Sequence, residues 1–420
     1  MKKLLALLLL GSCTPLSYPT TGEQSYNLLD DGVFSNTIRT VQLYPDKNDV
    51  TNVLLPASVP LEEQSLRLEF DDLVSAYQSY TVRISHCNAD WTKSSLSNLD
   101  FLMEYNSFPI NQYAFSSDTH IPYLHYWFMV PPVKLSGNYV LTVYLDDSKP
   151  VFSKRFMVYS KQVQLSINTD LSGASQLNNK QGISLSIQYP NLDVINASTQ
   201  FEVQIRQNQR WDNLITNIPP AFLREAERSI EYRVNDEDYM HDGGNEYRFI
   251  DLRTIINTGQ NLAKIDRSAK PYTAFVGIDK SRHYDRYAQY PDFNGNYVIM
   301  NYDYTLQYSE NYIKTIFTLA TGKKMDGKVH LQGKLINNPF SKESEMQYDS
   351  TRQEYRKELL LKQGWYNYQY IVEKGNKKNN LLEGNHFETE NLYEVLVYYK
   401  SLQPRADLLV GYIQLNKNPR

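Results

Sequence analysis

The sequence predicts a mainly β protein made of three consecutive antiparallel β-sandwich, immunoglobulin-like domains with few short helices, and three observations carry that expectation. Apolar residues recur at every second position in one run after another, the spacing of a strand with a buried face. The runs are short and are separated by turn-forming Gly, Asn, Asp, Ser and Pro, as in stacked antiparallel sheets. The 420 residues hold 34 Tyr against 16 Phe and only 18 Gly, and tyrosine suits pleated, half-wet surfaces. A chain of this length exceeds one ordinary core, so several domains are expected.

Taken in order, "SLRLEF" sets Leu66, Leu68 and Phe70 on one face, and "YTVRIS" does the same with Tyr80, Val82 and Ile84. "NYVLTVYL", entered by the turn Ser136-Gly137-Asn138, and "KRFMVYS" complete a first sandwich expected over 34–160. "QVQLSIN", "GISLSIQY" and "FEVQIR" open a second, expected over 161–298, in which "PPAFLREAERSI" is the best helical candidate. A third, over 299–420, takes in "YIKTIFTL", "KVHLQGKLI", "LLLKQGWYNYQYIV", "NLYEVLVYYK" and "LLVGYIQL". In "GWYNYQYIV", Tyr366, Tyr368, Tyr370 and Val372 share one strand face, read as core. Trp365 lies on the other face and stays open between packing and ligand stacking. A transmembrane barrel would also alternate, but its strands run longer than these.

The first 12 residues combine Lys2 and Lys3 with an apolar run, Leu4 to Leu10, and lead into Gly11-Ser12-Cys13. This resembles a lipoprotein signal, cut before a cysteine that then carries lipid; ordinary secretion is the alternative. The apolar run is too short to span a bilayer. Residues 13–33 begin polar and rich in Pro, Ser and Thr and read as a flexible tether. With Cys13 lipidated, Cys87 has no partner for an intrachain disulfide. Lys plus Arg number 43 against 47 Asp plus Glu, a net charge of −4. No basic excess exists to neutralise a nucleic-acid backbone, which removes nucleic acid from the expected partners.

No GxSxG, HExxH, P-loop or GxGxxG motif is present, so no catalytic residue, metal ligand or cofactor is assigned. His86, Cys87 and Asp90 fall together in "ISHCNADW", but a strand ending in a turn, with Trp91 packing back, explains them better than a four-ligand metal site. "NDEDYMHDGGNE" is acidic yet fails the EF-hand spacing, which needs Asp or Asn where Met240 stands. His120 and His125 in "THIPYLHYWFMVPP" read as satisfied imidazoles on a half-buried strand.

The stretches without a catalytic reading carry a resemblance. "HCNADW" (86–91), "SGNYVL" (136–141), "RFMVY" (155–159), "QNQRWD" (207–212), "GGNEYRFIDLR" (243–253), "FNGNY" (293–297), "LLKQGWYNYQY" (360–370), "EGNHFETENLYEVLVYY" (383–399) and "DLLVGY" (407–412) resemble, in order, the motifs of the type IX secretion system plug protein family of Bacteroidota. The resemblance implies a non-enzymatic subunit that docks on a large outer-membrane β-barrel translocon and closes its pore. It implies a periplasmic protein, anchored through Cys13 to the inner leaflet of the outer membrane. Surface-exported lipoproteins of these bacteria resemble one another in placing acids just after the lipidated cysteine, whereas the first acid here is Glu23. The motif residues taken as possible interaction sites are His86, Cys87, Asp90, Trp91, Asn208, Trp211, Asn245, Arg248, Trp365 and Asn385. The alternative is a glycan-binding envelope lipoprotein that stacks a sugar on Trp365 of its C-terminal sandwich.

Overall fold

The computed structural model describes residues 26–47, 49–169, 179–233 and 236–419. The expected leader over 1–12, Cys13 and its lipidation, and the tether up to residue 25 lie outside the described residues.

The first module packs two sheets. One runs Gly32–Val33, Lys149–Tyr159, Gly137–Leu145, Tyr80–Cys87, Phe108–Ile110, with Ser58–Pro60 joining Lys149–Tyr159 in parallel. The other runs Ile38–Pro45, Leu66–Asp72, Leu124–Met129, Gln112–Phe115. The alternation read in the sequence is what fills the space between them: Leu66, Leu68 and Phe70 from one sheet meet Tyr80, Val82, Ile84, Leu141 and Val143 from the other. Each large apolar side chain so enclosed contributes roughly 1.5–3 kcal/mol over its exposed state.

The middle module faces the sheet Gln164–Asn168, Ser184–Gln188, Ser229–Tyr232, Phe222–Arg224 against Phe201–Gln207, Asn391–Leu402, Arg405–Lys417. The third module holds everything between: Arg248–Asp251, Gly364–Lys374 and Tyr297–Ile299, with Lys328–Gln332 and Lys377–Asn379 also on Gly364–Lys374. Opposite lie Leu262–Asp266, Thr273–Val276, Tyr312–Ala320, Glu354–Lys362 and Gln347–Asp349, where Thr273–Val276 pairs in parallel with Tyr312–Ala320. Tyr366, Tyr368, Tyr370 and Val372 all point into this core, as their spacing requires. Their hydroxyls explain tyrosine rather than phenylalanine: Tyr366 donates to the Lys362 carbonyl at 2.6 Å, and Tyr368 and Tyr370 donate to Asp279 Oδ2 at 2.8 and 2.7 Å.

The β-sandwich class stands, but the boundary expected at 298–299 is not where the cores divide. The chain leaves the middle module after His241–Asp242, builds the third, and returns at Asn391 to finish the middle one. Periodicity reveals that a strand exists and which face is apolar; it does not reveal the partner. Tyr393, Val395 and Val397 complete the core of Val203 and Ile205, and seven residue pairs from Phe201↔Tyr399 to Gln207↔Tyr393 fix the register.

Two further expectations are corrected. "PPAFLREAERSI" forms the edge strand Phe222–Arg224, one 3-10 turn Glu225–Glu227 and the strand Ser229–Tyr232, because Ile230 and Tyr232 alternate into the core and Arg228 turns left-handed between them. The tether reading of 13–33 fails at its end. Gly32–Val33 pairs with Lys149–Tyr159, and Arg155 fixes Leu29 through Nε to its carbonyl at 2.8 Å and Asp31 through its backbone N–H at 2.7 Å.

The threading predicts that a fragment of residues 161–298 does not fold, since it lacks Tyr393, Val395, Val397, Tyr399 and Val410 of its own core. Its amide proton–nitrogen spectrum should be collapsed, whereas a well-dispersed spectrum would contradict the threading.

Candidate functional site at the module junctions

The outgoing and returning crossings between middle and third modules run side by side, and the motifs "GGNEYR" and "EGNHFETEN" are those crossings. Gly243 lies so close to the returning chain that a Cβ there would come within 2.0 Å of the His386 carbonyl oxygen. The Gly244 N–H donates to Asn385 Oδ1 at 2.8 Å, Asn245 Nδ2 donates to the Glu383 carbonyl at 2.8 Å, and Asn391 Nδ2 donates to the Gly243 carbonyl at 2.8 Å. Asn208, in a left-handed conformation at φ 52°, donates through Nδ2 to Asn391 Oδ1 at 2.7 Å and accepts from the Leu392 N–H at 2.8 Å. Beneath the seam Glu383 is fully buried. Burial opposes its charge, but the Arg248 and Arg282 guanidinium groups, at 3.0 and 2.7 Å, hold its pKa below the usual carboxylate value. Asn208, Asn245, Arg248 and Asn385 therefore serve internal joins.

The first and middle modules meet through a cluster that includes Cys87, Ala89, Trp91, Met157, Leu396, Tyr398 and Leu409. His86 and Cys87 point to opposite faces of their strand. The His86 ring packs edge-on against Tyr139 at 5.0 Å inside the first module, while Cys87 enters the junction. Burial pushes the His86 pKa down to about 4 and the Cys87 thiol up to about 11, so the pair is not poised as thiolate and imidazolium. Asp90 is exposed and closes the turn, accepting from the Thr92 N–H at 2.9 Å and its hydroxyl at 2.6 Å. Trp91, held at φ 64° by that turn, meets Trp211 edge to face at 4.8 Å. The Arg155 guanidinium lies 4.4 Å from the Trp91 ring centre, and that of Arg206 lies 3.9 Å from Trp211. Arg206 then forks onto the buried Glu394 carboxylate at 2.8 and 2.6 Å.

The first and third modules share a charge network that the sequence reading missed. Asp71 is fully buried in the first module and accepts from His125 Nδ1 at 2.8 Å. Across the junction it also accepts from Lys362 Nζ at 2.8 Å and the Tyr312 hydroxyl at 2.6 Å. Burial opposes the Asp71 charge, yet the Lys362 ammonium and His125 hold its pKa below 3.8. His125, expected as a satisfied imidazole on a half-buried strand, has its pKa raised above 6.5: burial lowers it, and the hydrogen bonds to Asp71 and Glu69 outweigh that. The available signal was a charge at the end of an apolar run, as in "LEFDD" and "ELLLK".

Trp365 stands apart from these junctions. Phe249 stacks on it at 4.4 Å with planes 11° apart, and the Arg253 guanidinium lies 4.8 Å from its ring centre, so its faces are engaged within the chain. Among the described residues no group of three or more His, Cys, Asp or Glu is placed to hold a metal ion.

Asp71→Asn and Lys362→Met should each cost about 3–5 kcal/mol at neutral pH, because each strands a buried charge, whereas the double variant should cost less than the sum. Denaturant titration of the four proteins checks this; additive losses would contradict the pairing. The sign of the pH dependence follows from Asp71. Its folded pKa is depressed, so its contribution is full above the ordinary 3.8 and is lost as pH falls through the folded value. The deficit of Asp71→Asn should therefore be fully developed at pH 5, where the His125 that Asp71 holds is protonated, and shrink below pH 3.8.

Comparisons with known proteins fit this architecture. Over nearly its whole length the chain is similar to a hypothetical protein from Parabacteroides merdae ATCC 43184, whose crystal structure superposes with a TM-score of 0.85 at 29% identity, covering 92% of this chain and 98% of that one. The B domain and the BSP domain of a biofilm associated protein align at 9% and 8% identity, covering 92% and 94% of this chain and 88% and 62% of theirs, but TM-scores of 0.16 and 0.14 carry no argument. No curated protein matches. Residues 38–160 match the family model described as the type 9 secretion system plug protein 1st domain. The first module of this chain is thus similar to the first domain of type 9 secretion system plug proteins, and that match supports a role associated with type IX secretion.

Proposed function

We propose that this protein is a periplasmic plug subunit of the type IX secretion system, which docks on the outer-membrane translocon barrel and closes its pore without catalysing a reaction. The observation that carries the reading is the plug-domain match over residues 38–160. The junctions support it physically. A stopper works by shape, and its parts must not shear under load; here each module is fastened to the other two by buried side chains rather than by linkers. The family match supports a cell-envelope location, and no helix among the described residues is long and apolar enough to cross a membrane. Attachment to the inner leaflet through Cys13 belongs to the same proposal. The glycan reading has no observation in its favour, because Phe249 and Arg253 engage the Trp365 ring.

The test is electrical. A purified, plug-free translocon barrel in a planar bilayer should conduct, and the mature protein added to the periplasmic side should close it, burying roughly 1,200–2,000 Å² or more of interface. Undiminished conductance at saturating protein would refute the reading.

A further inference from the structure

The three modules enclose a cleft of about 440 Å³, within the usual size range of a small-molecule site. Its wall carries five cations, Lys154, Arg155, Arg210, Lys334 and Lys378, against three carboxylates, Asp30, Asp31 and Asp212. Two of the carboxylates are committed: Asp30 to Arg155, and Asp212 to Arg210 at 2.6 Å. Asp31 accepts the Arg155 backbone N–H and faces the lysines without reaching ion-pair distance of any among the described residues. The cleft therefore holds two positive charges in excess, inside a chain whose net charge is −4.

Lys334 is built into this position. Gly333 beside it is at φ 147°, where a Cβ would come within 2.6 Å of the Asn367 carbonyl oxygen, and the Lys334 N–H is held by the Gly295 carbonyl at 2.8 Å. Its ammonium makes one long hydrogen bond, 3.5 Å to the Gln209 carbonyl. The Lys334 residue is exposed to the cleft, although many protein atoms lie around its ammonium. That crowding, opposed by the Asp31 charge and reinforced by Lys154 and Arg206, lowers its pKa to about 8. Lys378 is exposed at the rim, over the Phe340 ring at 3.7 Å.

We propose that this cleft is a binding site for a phosphate monoester, whose dianion is held by Lys154, Lys334 and Lys378 and whose organic body lies against Trp211, Tyr247 and Phe340. Two uncompensated charges match a dianion, and lysines suit phosphate as point charges. Trp211, Tyr247 and Phe340 are among the residues that line the same cleft. The site does not depend on the docking reading. It is formed by the closed arrangement of modules, so an occupant adds to the fastening between them.

Isothermal titration of the whole mature protein with sn-glycerol 3-phosphate, at ionic strength matched with sodium chloride, tests the proposal. One saturable site is expected, and the double variant Lys154→Gln with Lys334→Gln should bind about tenfold more weakly or worse. The single variant Lys378→Gln, at an exposed position, should fold normally and also bind more weakly. No saturable heat in the wild type, or unchanged affinity in these variants, would overturn the proposal. Pelleting with phosphatidic acid vesicles separates the sources: lysine-dependent pelleting identifies a lipid headgroup, and binding of the free ester alone identifies a soluble ligand.

Discussion

The arrangement rests on charges buried where modules meet. Asp71 has no exposed surface, and an ion withdrawn from water is tolerable only when donors surround it. His125 comes from its own module, but Lys362 and the Tyr312 hydroxyl come from the third, so the carboxylate is satisfied only when both modules are docked. Arg206 and Glu394 sit beneath the Trp91–Trp211 contact with the first module, and Glu383 underlies the crossings to the third. Opening a junction exposes apolar surface and also leaves ions without their partners. A partly opened molecule is therefore penalised more than a count of apolar contacts would suggest.

This bears on what the motif residues do. They read in the sequence as family-signature or possible interaction residues, and the structure buries five of the ten, His86, Cys87, Trp91, Asn208 and Asn245, and leaves only Asp90 exposed. Trp91 and Trp211 touch each other, while Asn208, Asn245 and Asn385 stitch backbone across the seam. Among these residues, Trp91, Asn208, Trp211, Asn245 and Asn385 take part in the contacts that join one module to another.

Strand positions and their buried faces were legible because alternation is a local signal: Tyr366, Tyr368 and Tyr370 could be assigned to the core from spacing alone. Pairing was not legible. Nothing within "NLYEVLVYYK" says that its partner is "FEVQIRQ", nearly two hundred positions earlier, rather than a neighbour in the third module. The junction charges were half legible. Glu394 and Arg206 interrupt apolar runs, which flags buried charge, but their complementarity requires the fold that brings the two strands together. Trp365 stayed open because its covering residues, Phe249 and Arg253, are over a hundred positions away. The cleft was invisible for the same reason, being lined by residues of all three modules.

If the buried junctions make the three modules one mechanical unit, differential scanning calorimetry of the whole protein shows a single transition with a calorimetric to van't Hoff enthalpy ratio near one. Two or three separable transitions would show modules melting independently and would contradict it.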